Sequence, residues 1–340
     1  MEHPSCLSIS RLIIDDVEIN NERTLGLLGG GGVYAIFGMR IVTKRVAYVI
    51  KFGTDFNPTK LRQLGIFLRE IVMPFDTPRA IMSYHDNIPP SFKLLTENYD
   101  KFRTECSDLP LEFTLNVTHL HGVLTWHRIE AIVKQWPQFF IIWEPNQDCI
   151  QIPERKPDLI KNWDKCITSV FITSPNHVEA VELLCREMPS FLSNLEAIQY
   201  FIGIAKDISS NNKCHIVLRC SYYGSVINYN GEIVYIPPYY TNSLLGKEKE
   251  EEIVDSTGCG NAYLGALTAF LSITDNSIEN VVLGCYYGSI AAGLTIEQFG
   301  PYSFENDMFN NSTIEDRMLT YKYNMETVKL QYPSLFSKYN

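Results

Sequence analysis

Short apolar runs, each closed by a polar or glycine-rich break, recur along the chain. Leu7 to Ile14 reads as a first strand that ends at Asp15-Asp16, and Val17-Glu18-Ile19 continues in alternation as an exposed strand does. Asn20 to Arg23 supplies a turn, and Arg23 to Leu28 reads as a weak strand. Behind four glycines, Val33 to Ile41 reads as a buried helix. Val46 to Ile50 is a strand leading to Gly53-Thr54-Asp55, with a helix expected over about Pro58 to Leu68. Beyond it, short β-like pieces such as Arg79 to Tyr84 and Leu111 to Val117 alternate with Pro and Asn breaks. That patchiness fits a small cap, with lid elements expected within 16–28 and 69–117 of a single domain over 1–340.

The second half is more regular. Phe139 to Trp143 is a buried strand closed by Glu144-Pro145-Asn146. Ser169 to Ile172 is another, closed by Thr173-Ser174-Pro175-Asn176 and followed by a helix from Val178 to Glu187. His215 to Arg219 is a third, closed by Cys220-Ser221-Tyr222-Tyr223-Gly224. Asn230-Gly231 between two alternating runs signals a hairpin. Long helices are expected after Gly260, from Ile278 to Thr295 and from Ile314 to Leu330. Strands that end in polar loops and alternate with helices define an α/β fold with a mainly parallel central sheet and flanking helices. Ligands of such sheets bind at the carboxyl ends of the strands, where these polar breaks fall.

Composition narrows the classes. Of 340 residues, 45% are apolar and 20% charged, which supports a packed core. A net charge of −10 argues against direct nucleic-acid binding, which needs a basic face. Nine scattered cysteines without a C-x-x-C pair read as free thiols in a reducing compartment. No secretory signal is apparent, and Val281 to Ile296 is too short and glycine-rich for a membrane span, so a cytoplasmic protein is expected. The pair His119-x-His121, with His127 nearby, lacks further ligands in metal spacing and reads as strand-end histidines.

The chemistry concentrates in Asp255-Ser256-Thr257-Gly258-Cys259-Gly260-Asn261, a polar glycine turn opening into an apolar helical segment. Glycines let backbone N–H groups converge, and a helix N-terminus adds roughly half a positive charge, so the turn is built for an anion. Gly29 to Gly32 permits a second close approach of backbone to ligand. Gly30-x-Gly32-x-x-Ala35 also matches a loose dinucleotide fingerprint, but no core strand leads directly into it and no acidic residue follows in the expected context. A nicotinamide-dependent oxidoreductase is therefore a distant reading.

Together these segments resemble the pfkB family, the ribokinase-like carbohydrate kinases. Gly29-Gly30 through Gly38 resembles that family's N-terminal Gly-Gly signature, and Asp255 to Asn261 its C-terminal D-T-x-G-A-G-D signature. Asn176-x-x-Glu179 resembles its N-x-x-E motif, and Val49 to Asp55 its V-x-x-x-G-x-D segment. Trp143-Glu144-Pro145, Ser174-Pro175-Asn176-His177 and the closing Gly-Asn look most like a fungal branch named for maintenance of a killer double-stranded RNA virus. The resemblance implies a ribokinase-like fold with a small β lid, ATP and Mg²⁺ with K⁺ possible, and transfer of phosphate to a sugar or nucleoside hydroxyl. It implies Asp15, Gly30, Gly31 and Tyr34 at the acceptor site, and Asn176 and Glu179 serving the metal. Gly258, Cys259 and Gly260 would form the anion hole, while Arg219, Ser221, Gly224 and Asp255 would lie at the nucleotide. A homodimer or a protein partner is compatible with it.

Three departures bear on activity. Asn261 stands at the position of the family's catalytic Asp, and an amide cannot take up a hydroxyl proton near neutral pH. General-base assistance contributes about 10²- to 10⁴-fold. Tyr34 replaces an acceptor-binding Asn, and Arg219 and Ser221 interrupt a T-x-G segment. The expected function is a ligand-binding or scaffold protein of weak or absent kinase activity, with an active ATP-dependent kinase as the alternative.

Overall fold

The computed structural model describes residues 3–19, 22–85, 88–145, 156–209, 214–248, 250 and 252–336. Asn20, Asn21 and Asn146, read above as turn residues, lie outside the described residues.

The chain starts with β1 (Cys6–Ser8), β2 (Ile13–Ile19) and β3 (Glu22–Gly29), then α1 (Gly31–Arg40) and β4 (Val46–Gly53). A short α2 (Thr59–Arg62) leads to β5 (Phe67–Met73), β6 (Arg79–His85) and β7 (Ile88–Leu94). Next come α3 (Leu111–Asn116), β8 (His119–Leu124), α4 (Trp126–Gln135) and β9 (Phe140–Pro145). α5 (Lys156–Ser169), β10 (Ile172–Thr173), α6 (His177–Leu183) and α7 (Asn194–Ile208) precede β11 (His215–Arg219). The hairpin of β12 (Ser225–Tyr229) and β13 (Glu232–Ile236) is followed by α8 (Cys259–Ser272), α9 (Ile278–Ile296) and α10 (Ile314–Gln331).

Nine strands form the central sheet in the order β13-β12-β11-β10-β9-β8-β1-β4-β5, parallel from β11 to β5, with the hairpin antiparallel at one edge. Both faces are covered, which is why these strands read as continuous apolar runs. Leu7, Leu120, Ile141, Trp143, Ile216 and Leu218 pack into one layer. Ile142, Ile172 and Val217 face the opposite layer, against Tyr263, Leu264 and Leu267 of α8. The fold is the mainly parallel α/β arrangement expected.

A second, four-stranded sheet has the order β3-β2-β6-β7. Leu7 to Ile14 is thus two strands in two sheets: Ser10 to Leu12 turns the chain from β1 into β2. Phe67–Met73 adds an edge strand to the central sheet rather than extending a helix from Pro58. Its β-branched and aromatic side chains suit a half-buried pleat better than a helix. Leu111–Asn116 is helical instead of extended, because Pro110 starts a turn whose carbonyl accepts from Phe113 and Thr114 N–H.

Candidate functional site

The glycine turn before α8 has the geometry of an anion cradle. Gly258 adopts φ 81°, ψ −11°, a left-handed conformation that costs a side-chain-bearing residue, and no side chain caps the helix behind it. A Cβ at Gly258 would run into the Tyr34 ring, so glycine is required there twice over. Tyr34 rises from α1 and is buried, with Asp15, Asp255 and Tyr84 within electrostatic reach of its hydroxyl.

These residues form the half of the site that faces the second sheet. Asp15 of β2 is buried with its carboxylate packed on Gly29, and burial, then the charges of Asp255 and Asp16, raise its pKa to about 7. Asp255 accepts from Thr257 N–H at 2.9 Å and from the Tyr84 hydroxyl at 2.5 Å. Tyr84 belongs to the second sheet, so that sheet is tied directly to the glycine turn. Asp255, assigned by resemblance to the nucleotide, has its contacts on this side.

Arg219 organises the other half. It ends β11, and its Nη2 lies 3.1 Å from Glu144 Oε1, 3.9 Å from Glu179 Oε2 and 2.9 Å from the Ser174 carbonyl oxygen. All three charged side chains are nearly inaccessible, at 11%, 7% and 2% exposure. Its Nη1 lies against Gly260, where any Cβ would collide with it. The guanidinium therefore rests on the glycine cradle and is held by two carboxylates, Glu144 from the end of β9 and Glu179 from the first turn of α6. Charges buried this deeply persist only when paired and hydrogen-bonded.

Asn261 belongs to the same network. Its amide faces two acceptors, so the orientation assigned from its neighbours has Nδ2 donating to Glu144 Oε2 at 3.2 Å and to the Gly31 carbonyl oxygen at 3.3 Å. An aspartate there would set a second carboxylate against Glu144 with no donor to offer. Asn176 and Glu179 are committed to each other: the Asn176 side chain accepts from Glu179 N–H at 2.9 Å, and the Glu179 carboxylate accepts from Asn176 N–H at 2.8 Å. This reciprocal pair is a capping box at the start of α6.

The structure thus gathers Asp15, Gly31, Tyr34, Asp255, Gly258, Gly260, Asn261, Arg219 and Glu179 around the start of α8. Gly30 precedes α1 at φ 89°, and Cys259 opens α8 with its thiol directed to the Ala292 carbonyl oxygen. Ser221 and Gly224 form a tight turn after β11, both with positive φ. Three participants carry no assignment from the sequence: Glu144, Tyr84 and His121. Glu144 was signalled as a carboxylate closing an apolar strand and within the Trp143-Glu144-Pro145 motif, with no role attached to it. His121 is fully buried, and burial together with the Arg219 charge lowers its pKa to about 3, so it is neutral. Among the described residues no group of three or more His, Cys, Asp or Glu is arranged to hold a metal ion, and no helix is long and apolar enough to cross a membrane.

This fold is that of the ribokinase-like carbohydrate kinases. It superposes on a ribokinase from Cryptococcus neoformans in complex with ADP with a TM-score of 0.64, at 18% identity, covering 87% of this chain and 95% of that one. A putative ribokinase II from E. coli in complex with ATP and Mg²⁺ matches with a TM-score of 0.64, at 16% identity, over 95% and 99% of the two chains. In sequence, the chain is similar to Protein MAK32 of Saccharomyces cerevisiae, 25% identical over 94% of this chain and 92% of that protein. It is also similar to an uncharacterized Schizosaccharomyces pombe protein, C16C9.01c, 23% identical over 94% of each. No family model matches the chain.

Proposed function

We propose that this ribokinase-like protein binds a small sugar- or nucleoside-type ligand and that its phosphoryl-transfer centre has become a structural ion network of weak or absent kinase activity. One observation carries the reading: the Arg219 guanidinium rests on Gly260 of the glycine cradle while paired to Glu144 at 3.1 Å. Phosphoryl transfer works mainly by positioning and by neutralising charge on the transferred group. Here the cradle faces a cation that two carboxylates already neutralise. The amide of Asn261 completes that network as a donor, a role that an acid–base aspartate does not fill.

Magnesium does not fit Asn176 and Glu179 as they stand. The Asn176 side-chain oxygen Oδ1 and one Glu179 oxygen are spent on the capping box, and Glu179 faces the Arg219 guanidinium at 3.9 Å. A divalent cation beside that guanidinium would meet like charge.

The alternative, an active ATP-dependent kinase, is favoured by the uncapped N-terminus of α8 and the left-handed Gly258, which remain suited to an anion. Resemblance to the fungal branch adds maintenance of double-stranded RNA virus particles, exercised as a cytoplasmic binding or scaffold protein.

Calorimetric titration with a panel of sugars and nucleosides, with and without ATP and Mg²⁺, tests the binding reading. The expected result is a panel member whose affinity is unchanged by Mg²⁺ and reduced at least tenfold by Asp15→Ala. Affinity that depends on Mg²⁺, or no binding at all, contradicts it.

A further inference from the structure

Beside the half of the site that faces the second sheet stands a group of arginines that the network above does not use. Arg11 lies in the turn between β1 and β2, and its carbonyl oxygen accepts from Gly32 N–H at 3.0 Å. Arg128 lies in the first turn of α4. It donates to the Val123 carbonyl oxygen at 3.4 Å and to that of Thr104 at 2.6 Å. Val123 in turn packs on Gly31, the residue that Asn261 touches. Arg103 completes the group from the segment ahead of α3. The cluster therefore adjoins the glycine loop at the carboxyl ends of β1 and β8, where ligands of parallel sheets bind.

The three guanidiniums repel one another. Arg11 is held below the usual arginine range by burial and then by Arg103. Burial, with the Arg103 and Arg11 charges, pushes Arg128 down to about 10. Two carboxylates face them, and both are exposed. Asp100 bonds Arg103 at 2.6 Å and stands 3.7 Å from Arg11, and Glu105 moderates Arg128 only through its field. The Arg11 side chain is 19% exposed; it donates to the Tyr99 carbonyl oxygen at 3.5 Å, hydrogen-bonds the Tyr99 side chain and stacks 4.3 Å above the Tyr99 ring. A guanidinium has five donors in a planar fork that matches phosphate and carboxylate, and stacking on an aromatic ring holds that fork in place. Three arginines against two solvated carboxylates leave an excess positive charge in a chain whose net charge is −10. The cavity beside Arg128 is only about 20 Å³, space for a water and too small to hold the anion itself.

The geometry points to an anion subsite at Arg11, Arg103 and Arg128, so that the ligand of this protein is a phosphate- or carboxylate-bearing hydroxylated metabolite rather than a neutral sugar. This inference rests on the acceptor-pocket reading for the sugar part of the ligand, and on the arginine cluster alone for its anion.

The test is calorimetry on the full chain with four probes at low and at physiological salt: a hexose phosphate, a sugar acid, the neutral hexose and inorganic phosphate. The expected result is that one anionic sugar binds at least tenfold more tightly than the neutral hexose. That margin should shrink with salt and fall at least tenfold in Arg11→Gln, while the weak affinity for neutral hexose and the unfolding midpoint without ligand stay unchanged. Arg103→Gln serves as a second variant should Arg11→Gln lower the midpoint. The phosphate and acid arms tell which anion the fork takes. Equal affinity for neutral and anionic sugars, or anionic affinity untouched in both variants, overturns the subsite and leaves the pocket reading standing. Inorganic phosphate binding as tightly as any sugar, and lost in Arg11→Gln, keeps the anion site and overturns the pocket reading. Binding of none of the four overturns both.

Discussion

At the scale of single residues, Arg219 carries the most consequence. Its removal leaves Glu144 and Glu179 buried without their cation, and breaking such a pair from one side costs about 3–5 kcal/mol. Arg219→Ala should destabilise the fold by that order, Glu144→Gln by less, and the double variant by clearly less than the sum, because the two residues share one network. Chemical denaturation of the four proteins checks this; additive losses would mean the contact holds nothing. Asp15 gives a pH signature. Its folded pKa, raised to about 7, exceeds the ordinary carboxylate value of about 3.9, so the folded state binds the extra proton between those values. Stability from this group is thus full below about pH 4 and declines as pH rises to about 7. Asp15→Asn should be more stable than wild type by on the order of 4 kcal/mol at pH 8 and equal to it near pH 4. Thermal unfolding across that range decides the point, and a gain that persists at pH 4 would show a different cause.

At the scale of elements, several strands of the central sheet were legible because each is an apolar run closed by a polar break. Phe139 to Trp143 and His215 to Arg219 fall on β9 and β11. The Asn230-Gly231 turn places the hairpin for the same local reason, since both residues have positive φ. Elements whose form depends on distant partners were not legible. Phe67–Met73 becomes a strand only through β4, 20 residues earlier at each paired position, and Leu7 to Ile14 divides because two sheets compete for it. Glycine spacing marked the turn before α8, but what fills the turn is set by side chains from β9, β11 and α1. No local pattern records that Arg219 reaches back to Glu144, or that Tyr84 of β6 reaches across to Asp255. Asn261 looked like a loss when read against a motif. Beside Glu144 it is a hydrogen-bond donor with two acceptors.

At the scale of the whole molecule, the ribokinase-like fold, a Gly258 cradle and a second sheet linked to it through Tyr84 stand together with a buried ion network around Arg219. The parts of that network are mutually consistent: a cation at the cradle, carboxylates to hold it, and an amide where a second carboxylate would be repelled. Restoring one piece therefore should not restore the whole. The most direct measurement is consumption of ATP with Mg²⁺ across a panel of neutral, phosphorylated and acidic sugars and nucleosides, for the wild type and for Asn261→Asp. The account predicts background rates for both, because Arg219 still occupies the cradle and the introduced carboxylate would stand against Glu144. Turnover by the wild type near the ordinary kinase range of about 1–100 s⁻¹, or its appearance in the single variant, would contradict it.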